Sequence, residues 1–169
     1  MSPRVRSDII DAYVFRRVPS TNNPGSSAAG SEIEVLQLRR THAPAPATWH
    51  PVMGHIEAGE RATDTLWREL AEELGLGGSA VLDAWALEQV HPYFIADLDA
   101  VFLSPRFAVE VIPGFEPSIN EEHDDFRWLP LARAIHEALW PGQRAALREL
   151  HKLLEGDPSA ELLRIDAPE

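Results

Sequence analysis

Glu69, Glu72 and Glu73 stand at i, i+3 and i+4 within "GHIEAGERATDTLWRELAEELGL", residues 54–76. On a helix, that spacing turns three carboxylates toward one point, where like charges repel. A hard divalent cation that prefers oxygen ligands, Mg²⁺ or Mn²⁺, would relieve the repulsion and make the cluster chemically useful. Arg68, one turn before Glu72, can orient carboxylates without cancelling their excess charge. The alternative is a solvated acidic face, and the three glutamates by themselves do not separate the two readings.

The element that must carry them is a helix over Ala62–Leu74, with Leu66, Leu70 and Leu74 along one stripe and Trp67 and Ala71 beside it. The glutamates fall on the opposite side, and Gly75 supplies the stop. Upstream, "DIIDAYVFRR" (8–17) reads as a first strand, residues 19–32 as a flexible loop rich in Ser, Gly, Asn and Pro, and "IEVLQLRR" (33–40) as an alternating, half-buried strand. "WHPVMGHIE" is a short extended entry to the helix. Downstream, residues 82–95 and 98–111 read as strand regions, the second edged at Pro105. Residues 113–125 have loop composition, "FRWLPL" is a short strand, and "LARAIHEAL" and "GQRAALRELHKLLEG" are helices. The expected organisation is one domain over 1–169, with a core at about 7–155 and a loosely attached tail at 157–169. The order of elements implies an α/β fold, with helices packed on a mixed sheet.

A formal net charge of −12 argues against a protein that tracks along nucleic-acid polymers, which are held by basic groups. It permits a small anionic substrate where a bound cation screens the carboxylates. The chain has no cysteine, which removes disulfides, thiolate catalysis and cysteine-ligated metals. No apolar run reaches membrane-spanning length and the start carries aspartates, so a cytoplasmic location is expected, with no membrane partner.

The wider spacing is specific. Gly54, five residues, Glu60, seven residues, and then Arg68-Glu69-Leu70-Ala71-Glu72-Glu73-Leu74-Gly75-Leu76 resembles the complete signature of the Nudix (MutT-like) hydrolases. The resemblance implies an α/β/α sandwich around a central mixed sheet, with the signature as a loop–helix–loop. It implies cleavage of a phosphoanhydride in a nucleoside diphosphate derivative, with Mg²⁺ or Mn²⁺ as cofactor. Glu69, Glu72 and Glu73 are then the expected metal ligands. Gly54, Glu60, Arg68 and Gly75 are expected to hold the motif in shape, Glu60 and Arg68 through a charge-assisted hydrogen bond. Met53 stands where many members have a second glycine, and its backbone carbonyl is a further candidate ligand. In "INEEHDDFRWL", Glu122 takes the place of a metal-binding or catalytic glutamate that family members often carry in the loop before an aromatic-ending strand. A homodimer is compatible with the family.

Substrate identity is less legible. "WHPVMGHIEAGE" and "EHDDFRWLPL" are similar to the branch containing dihydroneopterin triphosphate and dATP pyrophosphohydrolases, which favours a nucleoside or pterin triphosphate. Tyr93, 17 residues past Leu76, matches the position of a tyrosine in the dinucleoside-polyphosphate branch. Pro92, 16 past it, matches a proline of ADP-ribose hydrolases. Trp49 and Tyr93 are candidates to stack on a base, and Arg16, Arg17, Arg39 and Arg40 could reach substrate phosphates, Arg39 first among them. His50, His55 and His123 could approach phosphates but form no zinc-type pair, and they stay outside the catalytic set. A non-catalytic nucleotide sensor is the alternative of another class, although it would be expected to lose helix glutamates.

Overall fold

The computed structural model describes residues 2–19, 31–42 and 45–168. In chain order the elements are β1 (Arg4–Arg6), β2 (Ile9–Pro19), β3 (Ser31–Arg40), β4 (Trp49–His50), β5 (Val52–His55), α1 (Ala62–Leu74), β6 (Val81–Leu87), β7 (Tyr93–Ile95), β8 (Ala100–Phe102), β9 (Arg106–Val111), β10 (His123–Pro130), α2 (Leu131–Glu137), α3 (Pro141–Leu154) and α4 (Ala160–Leu163). The main sheet runs β10-β3-β2-β9-β6, with β4 added to β3 and β5 to β2. The β2–β9 pair is parallel and its other pairs are antiparallel.

Alternation along the central strands sorts the core into two layers. Ile10, Ala12 and Val14 of β2, with Phe107, Val109 and Val111 of β9, pack with Leu66, Leu70 and Leu74 of α1. Tyr13 and Phe15 point the other way, and with Ala108 they join Leu131 and Ala134 of α2 and Leu147, Leu150 and Leu153 of α3. The result is the expected α/β/α sandwich. Each fully buried leucine of α1 contributes roughly 1.5–3 kcal/mol, so the stripe at i, i+4 and i+8 fixes the helix on the sheet.

Both ends of α1 follow from local chemistry. The Arg61 N–H donates to the Asp64 carboxylate at 3.1 Å, tying the first turn back on itself. At the other end Gly75 takes φ 65°, and its N–H and that of Leu76 reach the carbonyls of Ala71 and Leu70 at 3.0 and 3.1 Å.

Four expectations need correction. Residues 20–30 of the expected 19–32 loop lie outside the described residues, whereas Pro19 and Ser31 are strand partners. Strand β10 begins at His123, inside the segment read as loop, because Asp124 and Asp125 can sit on a solvated sheet edge despite their low β-propensity. The 82–95 and 98–111 regions each divide. Their middle pieces, β7 and β8, leave the main sheet and join β1 in a separate three-stranded sheet. The tail is also fastened. Arg164 bridges to Trp85 and pairs with Asp83 at 2.7 Å, the Ile165 N–H donates to Ala84 O at 2.9 Å, and Ile165 packs against the α1-side core. Composition gave no hint of this, because the attachment uses backbone groups of an edge strand and needs only one apolar side chain.

Candidate active site

The turn between β5 and α1 is held by Arg68. Its Nε and Nη2 donate to the two Glu60 carboxylate oxygens at 2.9 and 3.1 Å, and Nη2 also reaches the His55 carbonyl at 2.9 Å. Its Nη1 donates to Glu69 at 2.9 Å and to Glu72 at 3.2 Å. Glu60 further accepts the Thr65 hydroxyl at 2.8 Å and the Glu57 N–H at 3.1 Å. These bonds, the Arg68 guanidinium first among them, hold the Glu60 carboxyl at about 2. One guanidinium thus fixes the loop and two of the helix carboxylates together.

Gly54 is required by close approach. A Cβ there would lie 2.1 Å from Glu69 Cγ and 2.4 Å from Glu69 Oε1, so the carboxylate rests directly on the β5 backbone. Met53 lies beside it, in register with Asp11 of β2.

Glu73 departs from the sequence reading. Instead of sharing a solvated face with Glu72, it is only 3% exposed, because position 73 is three residues from Leu70 and turns with the buried stripe. Ala71 takes the exposed side. Glu73 Oε2 is buried and has no hydrogen-bond partner among the described residues. Burial, followed by the charges of Glu69 and Glu122, pushes this carboxyl up to about 8. Burial also raises Glu69, against the pull of Arg68. Glu122 therefore lies within the field of the cluster. Its backbone is anchored by Thr41, whose N–H and hydroxyl both donate to the Glu122 carbonyl at 2.9 Å.

Two residues outside the expected catalytic set extend from Glu73, His123 next to it and His50 beyond. His123 Nε2 lies 3.9 Å from Glu73 Oε2, too long for a hydrogen bond, and the His50 and His123 rings are 5.4 Å apart. Burial lowers both imidazoles to about 4, so they are neutral near pH 7. His50 Nδ1 donates to the Pro51 carbonyl at 2.7 Å, which leaves Nε2 without its proton. That Nε2 and His123 Nδ1 are buried without partners among the described residues. A clue lay in the sequence, in that His123 follows Glu122 directly. What brings His50 to it is strand pairing: Leu38 of β3 is opposite His50, and Arg40 is opposite His123. His55 stays exposed.

The expected substrate contacts are dispersed. Alternation from Leu38 sends Arg39 to the sheet face away from α1. There it pairs with Asp124 at 2.7 Å and lies 5.8 Å from the Trp49 ring, whose face is covered more closely by Arg127 at 4.3 Å. Tyr93 belongs to the small sheet, stacked 5.3 Å from Phe102 with its hydroxyl 3.5 Å from Ser104 Oγ. Trp49 and Tyr93 thus belong to different sheets.

Among the described residues, no three Asp, Glu or His side chains stand ready-made at metal-binding distance of one another. The donors nevertheless fit a hard cation. They are carboxylate oxygens, and one of them is a buried oxygen left unpartnered in a field of like charge. No helix of the described residues is long and apolar enough to cross a membrane.

Comparison with known proteins agrees with this geometry. The chain is 28% identical over 154 residues to the asymmetrical bis(5'-nucleosyl)-tetraphosphatase of Sus scrofa, covering 83% of this chain and 90% of that protein. The Mus musculus protein of the same name is 27% identical, over 86% of this chain and 94% of its own length. A Myxococcus xanthus octanoyltransferase is 32% identical over 70% of this chain, which spans only 32% of that protein's length. Among solved structures, a C. elegans Ap4A hydrolase binary complex superposes with a TM-score of 0.71 at 18% identity, over 90% of this chain and all of that one. A mutT/nudix family protein from Listeria innocua gives 0.63 at 13% identity, over 92% and 96%. The family model described as the NUDIX domain matches residues 8–150. With that match over most of its length, the chain belongs to the Nudix family.

Proposed function

We propose that the protein is a divalent-cation-dependent pyrophosphohydrolase that cleaves a phosphoanhydride of a nucleoside polyphosphate by attack of water. The observation that supports it most is Glu73, a buried carboxylate with an unpartnered oxygen among Glu69, Glu72 and Glu122. Such a group is costly to keep unless a cation is bound.

Glu69, Glu72, Glu73 and Glu122 would hold Mg²⁺ or Mn²⁺, with the Met53 carbonyl as a further ligand. When bound, the cation supplies charge neutralisation for the phosphates and acidifies a coordinated water. The protein's own contribution is positional. Arg68 and Glu60 keep the helix and loop in register, Gly54 lets Glu69 reach the strand, and a helix carboxylate or Glu122 accepts the water's proton. The relatives named as dinucleoside tetraphosphatases, matched over most of their length, favour a dinucleoside polyphosphate as substrate. Triphosphates of the dATP or dihydroneopterin type come second and ADP-ribose third. We place the enzyme in the cytoplasm and allow for a homodimer.

The test is a parallel assay of diadenosine tetraphosphate, dATP, dihydroneopterin triphosphate and ADP-ribose with Mg²⁺ and with Mn²⁺. Hydrolysis of at least one, abolished by EDTA, is the expected result, read by chromatography as ATP with AMP from diadenosine tetraphosphate, a monophosphate with pyrophosphate from either triphosphate, or AMP with ribose 5-phosphate from ADP-ribose. Failure to turn over all four with either metal defeats the reading.

A further inference from the structure

The arginines around the carboxylate cluster are almost all committed. Arg68 is tied to Glu60, Glu69 and Glu72, and Arg61 to Asp64. Arg39 is tied to Asp124, and Arg127 to Glu137 and Gln37. Arg40 is the exception. Its backbone is fixed on both sides, by hydrogen bonds with Thr48 and Ala47 and by register with His123. Its guanidinium joins no ion pair and donates no side-chain hydrogen bond among the described residues.

Its direction follows from the sheet. Leu36 and Leu38 lie in the α1-side core, so Arg40, two residues on, projects from that same face. Across the ladders stand His123, 3.9 Å from Glu73, and, two register positions along, His50, whose ring lies 5.4 Å from that of His123. The charge of Arg40 is felt at all three: it opposes the rise at Glu73 and adds to the fall at His50 and His123. A half-buried cation with no side-chain partner among the described residues thus lies near Glu73, in a chain of net charge −12.

We propose that Arg40 grips the phosphate beyond the scissile pyrophosphate, and so selects substrates with three or more phosphates over those with two. This rests on the pyrophosphohydrolase reading above. A cation held by the carboxylates balances the charge of one pyrophosphate unit. Each additional phosphate brings charge that the surrounding glutamates repel, and it needs a positive partner from the protein. Arg40 is the guanidinium available on that face, and its planar fork suits phosphate oxygens. Arg39, which the sequence offers alongside Arg40 for such a contact, points to the other face.

Two measurements test the assignment. By calorimetry with Mg²⁺ present, wild-type protein should bind inorganic tripolyphosphate more tightly than pyrophosphate. Arg40→Ala should lose roughly 10- to 100-fold for tripolyphosphate and less than about threefold for pyrophosphate. Arg40→Lys should recover part of the loss, since it keeps the charge without the fork. In turnover, Arg40→Ala should raise KM for diadenosine tetraphosphate or dATP by a similar factor, with kcat nearly unchanged and ADP-ribose little affected. If Arg40 only offsets Glu73, both inorganic phosphates weaken equally, and that result overturns the proposal, as does no change in either. Should the alanine variant fail to fold, Arg40→Gln carries the same comparison. Wild-type protein that hydrolyses nothing overturns the proposed reaction instead, and the calorimetric contrast still decides Arg40.

Discussion

At the entrance to α1 both carboxylate oxygens of Glu60 are occupied, by Arg68, Thr65 and the Glu57 N–H. Further along the same helix, Glu73 keeps a buried oxygen with no partner among the described residues, near His123 and, beyond it, His50, each with an unpartnered ring nitrogen. The first neighbourhood is complete without help. The second breaks the rule that buried polar atoms are paired, and violations of that rule gather where a ligand is awaited. A finished turn at the start of α1 therefore leads into an unfinished site.

The contrast can be broken most severely at Glu73. Its carboxyl is raised from 4.5 to about 8, so the folded state holds a proton that the unfolded state has already lost. The resulting stability is fully present below pH 4.5 and fades as pH rises through about 8, by up to ~5 kcal/mol in metal-free protein. Thermal melts in EDTA should show this decline, and Glu73→Gln should flatten it. The same variant should lose more than ~100-fold in kcat, since even outer partners of a metal site are worth about 10- to 100-fold. Normal turnover by the Glu73→Gln variant would remove the site's central carboxylate from the chemistry.

Arg68→Ala should come next, with a loss of about 10- to 100-fold in metal affinity, read by Mn²⁺ titration, because it frees Glu60, Glu69 and Glu72 at once. Gly54→Ala forces Glu69 off the strand and should cost about 1–3 kcal/mol by denaturant titration, with activity falling in step. If that variant is as stable and active as wild type, the contact is not needed. The smallest effect belongs to Arg164→Ala. Its pair with Asp83 is half-exposed and should contribute no more than about 1 kcal/mol, read by the same titration.

Much of this scaffold was legible because it is local. The helix bounds Ala62 and Leu74 follow from leucine spacing and from Gly75, and the break between β8 and β9 from Pro105. The site was legible only in part. Spacing brought Glu69, Glu72 and Glu73 together and set Glu73 at the margin of the leucine stripe, but how far the sheet extends over that margin is not written in the helix itself. His50 and His123 lie far apart in the chain and meet through pairing with β3, which no short motif encodes. The choice between Arg39 and Arg40 turned on strand parity, and parity is fixed by which leucines enter the core.

The fastening of residues 164 and 165 to β6 has a consequence for biosynthesis. Every strand of the main sheet is made before them, so that rim of the sheet stays open until this stretch clears the ribosome. For that interval the nascent chain offers unpaired backbone to any neighbour. A chain cut before residue 164 would make the exposure permanent and favour aggregation, although every residue of the candidate site would still be present.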